Sequence, residues 1–241
     1  MNRNAVVTGA SNGIGKAIAS RLTEDGWRVI NLDRAEPSGD DPFEWIETDL
    51  SEPDAIAAAF EEIRERELGP VTGLVNNAGV ARAAILEEST VEDFDLTMAI
   101  NMRAPMLCAQ AVLDDMKAEN FGRIVNIASR ALLGKTHRTA YSGSKGGIAS
   151  MGRVWALELA QYGVTVNNIG PGPIATELFK QANPPNMPRT QEIIGTIPVG
   201  RLGEPEDIAQ AASFFMDEKS GFISGQTLFV CGGISLARGG S

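Results

Sequence analysis

Residues 140 to 147 read AYSGSKGG, which puts a phenol and an ammonium four residues apart among small side chains. On a helix, positions i and i+4 share a face, so the Lys145 cation would sit near the Tyr141 phenol and favour its ionised form. That is the pairing an acid/base tyrosine needs. The plainer alternative is a half-buried aromatic at a helix start, followed by a solvated lysine.

A second stretch with chemical content is TGASNGIGKAIA, with Gly9, Gly13 and Gly15 where a strand gives way to a helix. Glycines there let the backbone approach a diphosphate, whose charge a helix N-terminus favours. Five residues rather than four separate Gly9 from Gly15, and Ala17 follows Lys16 where a magnesium-binding hydroxyl would be needed. A P-loop is therefore excluded. Asp33 closes the next apolar run, where an acid would accept hydrogen bonds from an adenosine ribose. The single histidine, His137, has no G-x-S-x-G elbow to serve, which argues against a hydrolase. It reads as an exposed loop residue or a substrate contact. Arg130, Lys135 and Arg138 share its loop and read as solvated charges or as contacts for a carboxylate.

The elements that must carry these residues alternate along the chain. AVVTGA, WRVINLD, WIETDL, GLVNNAG, RIVNIAS, VTVNNIG and QTLFVCGG read as buried strands. Helical patterns run over 14–25, 53–67, 90–119, 142–161 and 205–218. Such alternation predicts one α/β domain over residues 1–241, a doubly wound Rossmann-type parallel sheet of seven strands. The connection RAEPSGDDPF is too short and too rich in proline to hold a crossover helix, so a loop is expected. Residues 175–203 read as a flexible flap at a strand's carboxyl end, the edge at which open α/β sheets bind ligands.

Bulk properties narrow the partners. With 43% hydrophobic residues the chain can bury a core, and its net charge of -10 argues against nucleic acid and anionic membranes. No apolar run of 18 residues and no signal peptide are apparent, so a cytoplasmic location is expected. Cys108 and Cys231 lack metal-ligand spacing and read as buried free thiols; no metal site is expected.

Taken together and in order, the motifs resemble the short-chain dehydrogenase/reductase family over nearly the whole chain. The TGxxxGxG turn is Thr8 to Gly15, TDL holds Asp49, NNAG spans 76–79, NIAS holds Ser129, YxxxK is Tyr141 and Lys145, and PGP spans 171–173. The resemblance implies a catalytic set of Asn101, Ser129, Tyr141 and Lys145. It implies cofactor contacts from Gly9, Ser11, Asn12, Gly13, Ile14 and Gly15 in the turn, from Asp33, Arg34, Asp49 and Leu50 on the adenine side, and from Asn77, Ala78 and Gly79. Tyr141, Lys145, Pro171, Gly172, Ile174 and Thr176 complete them. In this reading Tyr141 passes the hydroxyl proton, Ser129 orients the substrate oxygen, Lys145 also bonds the nicotinamide ribose, and Asn101 holds a water leading to solvent. Eleven residues separate Ser129 from Tyr141, one fewer than in many members.

The expected activity is hydride transfer between a nicotinamide cofactor and a small secondary alcohol or ketone, with NAD preferred over NADP on the charge of Asp33. The resemblance also implies a homotetramer. Bacterial 3-oxoacyl-carrier-protein reductases share the general pattern and form the alternative. Their docking arginines would stand where this chain has Glu119, Asn120 and Tyr162. A cofactor-binding sensor or structural subunit is the alternative of another class, and such members usually lose the tyrosine or the lysine.

Overall fold

The computed structural model describes residues 3–39, 41–184 and 186–236. In chain order, β1 (Arg3–Thr8), α1 (Gly13–Glu24), β2 (Trp27–Asp33), β3 (Glu44–Glu47), α2 (Pro53–Glu65) and β4 (Val71–Asn76) form the first half. Then come α3 (Val91–Met98), a π-helical turn (Ala99–Arg103), α4 (Ala104–Ala118), β5 (Gly122–Ile127) and α5 (Thr139–Leu159). The chain closes with β6 (Val164–Pro171), α6 (Glu177–Ala182), α7 (Pro188–Gly195), α8 (Pro205–Met216) and β7 (Thr227–Val230). The seven strands lie in the order β3-β2-β1-β4-β5-β6-β7, all parallel. The expected doubly wound α/β sheet is present, and the order reverses between β1 and β4, the switch point at which such sheets bind nucleotides.

Each strand sends alternate side chains to opposite faces. Ala5 and Val7 of β1 pack with Ile18, Ala19 and Leu22 of α1 and with Ile208, Ala212, Phe215 and Met216 of α8. Val6, between them, joins Ile56, Phe60 and Ile63 of α2 and Cys108, Val112 and Met116 of α4. Leu22 and Ile18 are fully buried, each worth about 1.5–3 kcal/mol over exposure.

Several boundaries differ from the sequence reading. The helix expected over 142–161 begins at Thr139, so Tyr141 stands in its first turn. The run 90–119 is three helical pieces, because a π-helical turn interrupts it around Asn101. The segment 175–203 is not a bare loop but carries the short helices α6 and α7. Among its described residues the connection 34–43 holds no helix, as its prolines required.

The expectation that nothing in the chain could span a membrane needs correction on length and composition alone. Val91–Ala118 is 28 residues long with a window of mean hydropathy 1.2. Here it is a layer helix: Ala104, Cys108, Ala109, Val112 and Met116 of α4 are buried in the core on one face of the sheet, which accounts for its apolar character.

Candidate active site

The glycine-rich turn is held by side chains from two neighbouring strands. Gly9 and Gly13 have φ of +68° and +57°, a region that disfavours a side chain. A Cβ on Gly15 would be driven into the Gly9 carbonyl and the Asn77 amide. Asn77 Nδ2 donates to the carbonyls of Thr8 and Gly9, both at 2.9 Å, and Thr8 Oγ1 accepts from the backbone N–H of Asn77 and Ala78. Asn31 Oδ1 accepts from Ala10 N at 2.9 Å. The N-terminus of α1 has no side-chain cap bond from Asn12 and no acid in its first turn. Its partial positive charge is thus not neutralised locally, which suits an anion at the turn. Thr176, the N-cap of α6, stands across from Gly13, with Cγ2 3.4 Å from where a Gly13 Cβ would lie.

Asp33 ends β2, and its carboxylate is already engaged: Oδ2 accepts from Ser11 N at 3.1 Å and Oδ1 from Ala35 N at 3.0 Å. Each oxygen keeps a further lone pair for a hydroxyl. Asp49 accepts from the backbone N–H and hydroxyl of Ser51, bonds that hold its carboxyl below the usual range, with a smaller contribution from the Arg34 cation. Lys16 is drawn away from the turn to Asp41, at 2.9 Å, and to the Ser38 carbonyl.

At the carboxyl ends of β4 and β5 the four expected catalytic side chains converge. Lys145 is 4% exposed and donates to the Ile127 carbonyl at 2.6 Å. Burial brings its pKa down to about 8. Its Nζ lies over the Tyr141 ring, 5.8 Å from the centroid. Burial raises the Tyr141 pKa; a hydrogen bond with Ser129 and the Arg138 charge pull partly the other way. This differs from the expectation that Lys145 depresses the phenol. Without ligands, desolvation of Tyr141 dominates, and the lysine charge is not among the influences that move it. Ser129 Oγ accepts from Ala131 N at 3.1 Å, and so opens the short 3₁₀ turn over Arg130–Leu133.

Asn101 is buried in the π-helical turn. Its Oδ1 accepts from Val80 N, and its Nδ2 donates to the Val80 carbonyl and to Ser144 Oγ. Both amide hydrogens are therefore committed, so of the side chain only a lone pair on Oδ1 is left to hold a water. Ser144 passes the connection on by donating to the Tyr141 carbonyl at 2.8 Å. In sequence Ser144 reads as only a small neighbour; the available signal is its place three residues after Tyr141, on the same helix face. Gly79 packs into the same corner, where a Cβ would stand 3.2 Å from both Asn101 Oδ1 and Lys145 Nζ. Gly172 lies against the backbone of Cys231, and Ile174 and Leu50 are buried. Pro171 ends β6, and Ile14 packs at the edge of the core beside α1.

Comparison with known proteins agrees with this architecture. A family model described as enoyl-(acyl carrier protein) reductase matches residues 9–235. The chain belongs to the short-chain dehydrogenase/reductase family, whose members compared here are dehydrogenases and reductases acting on hydroxyl and keto groups. It is 37% identical to (2S)-[(R)-hydroxy(phenyl)methyl]succinyl-CoA dehydrogenase subunit BbsD of Thauera aromatica, covering 99% of this chain and 98% of that one. It is 35% identical to 3-oxoacyl-[acyl-carrier-protein] reductase FabG of Vibrio cholerae over 96% and 97% of the two. Among solved structures, the ligand-free aldohexose dehydrogenase of Thermoplasma acidophilum superposes with a TM-score of 0.91 at 29% identity, covering 100% of this chain and 96% of that one.

Proposed function

We propose that this oxidoreductase is an NAD-dependent dehydrogenase of a small secondary alcohol or ketone and that Tyr141 is its acid/base. The convergence of the half-buried Tyr141 and Ser129 with the buried Lys145 carries the reading. The glycine turn and the uncapped start of α1 fit a diphosphate, and the buried Lys145, with one protein acceptor for three donors, fits a ribose. Once bound, the nicotinamide supplies the hydride acceptor in oxidation and the donor in reduction. In oxidation, Ser129 Oγ bonds the substrate oxygen and the Tyr141 phenolate takes the hydroxyl proton as the C–H electron pair departs. In reduction the Tyr141 hydroxyl returns that proton to the carbonyl oxygen. Lys145 supplies positive charge beside the phenol, and Asn101 anchors the corner through Val80 and Ser144.

A homotetramer of a cytoplasmic kind is part of the same reading, by family. The similarity to the Vibrio cholerae reductase favours a second reading, reduction of a 3-oxoacyl thioester on a carrier protein. Against it, Glu119, Asn120 and Tyr162 occupy the places where docking would want arginines. The decisive experiment is Tyr141→Phe assayed with NAD and a panel of secondary alcohols. Turnover should fall by roughly 10²–10⁴ with cofactor affinity kept; wild-type turnover in the variant would remove Tyr141 from the chemistry. Activity of the unaltered protein on carrier-protein thioesters alone would establish the second reading instead.

A further inference from the structure

Two turns along α5 from Lys145, the helix rests on amide groups instead of hydrocarbon. Asn126 of β5 and Asn168 of β6 are fully buried and in register, with Asn126 Nδ2 donating to Asn168 Oδ1 at 3.1 Å. Gly152 of α5 lies directly on this pair: a Cβ there would stand 2.5 Å from Asn168 Oδ1 and 3.0 Å from Asn126 Nδ2. Asn168 Nδ2 is within donating distance of the Ala149 carbonyl, at 3.4 Å, and of the Gln226 carbonyl and Thr227 Oγ1, both at 3.3 Å. One side chain of β6 thus ties α5 to the start of β7. Glycine weakens a helix interior relative to alanine, and Gly152 stands well inside the 21 residues of α5. Its presence marks a place where the backbone must come close.

We propose that Gly152 and Asn168 are positioning residues for Lys145: the amide row is the seat of α5, and the bare backbone at 152 sets the height at which Lys145 meets the Ile127 carbonyl. The inference rests on the reading of the Tyr141–Lys145 corner as the proton-transfer site and names residues outside that corner that hold it in place.

Three observations support it. Lys145 and Gly152 are seven residues apart, which is two helical turns on one face and about 10 Å along the axis, and both are buried, with Ile148 and Ala149 between them. A lift at 152 is therefore passed along the helix to 145. Second, the strand side is equally direct. Asn126 immediately precedes Ile127, whose carbonyl accepts from Lys145 Nζ at 2.6 Å, so seat and acceptor are neighbours on β5. Third, the seat reaches toward Ser129: Ala128 packs with Ile148 and Ala149, and its N–H donates at 2.7 Å to the carbonyl of Ile169, the residue after Asn168. A satisfied row of buried hydrogen bonds fixes direction and distance, where apolar contacts alone would let a helix slide.

The test sets Gly152→Ala beside the double variant Gly152→Ala, Asn168→Ala, with two readouts. One is acetylation of Lys145 by acetic anhydride at a fixed pH in the ligand-free chain, located by peptide mapping; the other is kcat with NAD and a secondary alcohol. Lys145 is 4% exposed in the parent, and in Gly152→Ala it should be acetylated about tenfold faster while kcat falls by about tenfold or more, since misplacement by an ångström can cost roughly a hundredfold. Removing the Asn168 amide gives the new methyl group its room, so the double variant should recover most of both changes. Asn168→Gln, one methylene longer, presses the same contact from the strand side and should repeat the Gly152→Ala result in milder form. Cys108, fully buried in the core, reports unfolding and should stay unlabelled by a thiol reagent throughout. A merely structural glycine would lower the thermal midpoint and leave Lys145 labelling and kcat as in the parent, a result that overturns the seat. A double variant no better than Gly152→Ala overturns it too, as does Cys108 labelling in both Gly152→Ala and Asn168→Gln. Full turnover in Tyr141→Phe removes the acid/base reading and leaves faster Lys145 labelling in Gly152→Ala standing. Unchanged labelling in Gly152→Ala beside an inactive Tyr141→Phe does the reverse.

Discussion

Lys145 Nζ lies over the Tyr141 ring, 5.8 Å from its centroid, and gives its hydrogen bond to the Ile127 carbonyl rather than to the phenol. The lysine has no direct hydrogen bond to the phenol, and the charge it carries depends on its own protonation. With a pKa lowered by burial to about 8, that charge is complete below neutral pH and fades above it.

The same burial makes Lys145 a cost to the fold. Its pKa is about 8 in the folded chain and about 10.4 in the unfolded one. Between those values the unfolded chain binds more protons, so the contribution to stability rises with pH through that window and is flat below it. Lys145→Met removes the penalty along with one hydrogen bond. The variant should gain roughly 1–3 kcal/mol of stability near pH 7, with the gain shrinking toward pH 10. Denaturant unfolding at the two pH values measures this. A variant less stable than the parent at pH 7 would show that the ammonium is well solvated where it stands.

Gly15 tests whether the turn is built for close approach. A Cβ there meets the carbonyl of Gly9, a backbone atom that cannot swing aside, and the Asn77 amide that holds the turn. Gly15→Ala should lower the thermal midpoint and weaken cofactor binding by at least about tenfold, since the turn must open to admit the methyl group. Gly146→Ala is the control, because nothing lies within 4 Å of its Cβ position. Equal behaviour of the two variants would refute the packing argument.

The sheet was legible in the sequence because its strands are buried on both faces and read as short apolar runs, and because the 34–43 connection carries prolines that forbid a helix. The π-helical turn at Asn101 was not legible, since AINMR looks like ordinary helix and the partners of Asn101, Val80 and Ser144, are distant in sequence. A row of buried asparagines was missed for the same reason. Asn76 Nδ2 donates to Asn126 Oδ1 and Asn126 Nδ2 to Asn168 Oδ1, across β4, β5 and β6 in register. The sequence shows an asparagine near the end of each of three strands, but only strand register makes them neighbours. The burial that raises the Tyr141 pKa in the ligand-free chain was not legible, because i,i+4 spacing gives proximity and says nothing of burial.

Assembly can be checked directly. Leu157 is 83% exposed and Val154 49% on α5, and Phe222 stands free just before β7. Exposed apolar side chains on these elements are what a tetramer pairing α4 and α5 across one dyad and the last strand across another would cover. A tetrameric mass at micromolar concentration is expected in analytical ultracentrifugation, and Leu157→Glu should shift it to smaller species. A monomer of the parent chain would contradict the arrangement.

Cofactor choice turns on Asp33 and Arg34, adjacent residues of opposite charge. The Asp33 carboxylate stands beside the glycine turn, bonded to Ser11 N, where ribose hydroxyls can donate to it and a 2'-phosphate would meet it charge to charge. Arg34 could grip that phosphate, but its charge also reaches Asp49 on the adenine side, and Lys16, the other nearby cation, is paired with Asp41. The carboxylate should therefore prevail, and NAD should be used with the higher kcat/KM. Asp33→Asn keeps an acceptor for Ser11 N while removing the charge, so it should lower the NAD over NADP preference by about tenfold, roughly 1.4 kcal/mol, without a matching loss of stability. Should the parent protein prefer NADP, Arg34 governs the site, and Arg34→Ala would then be the variant that reverses the choice.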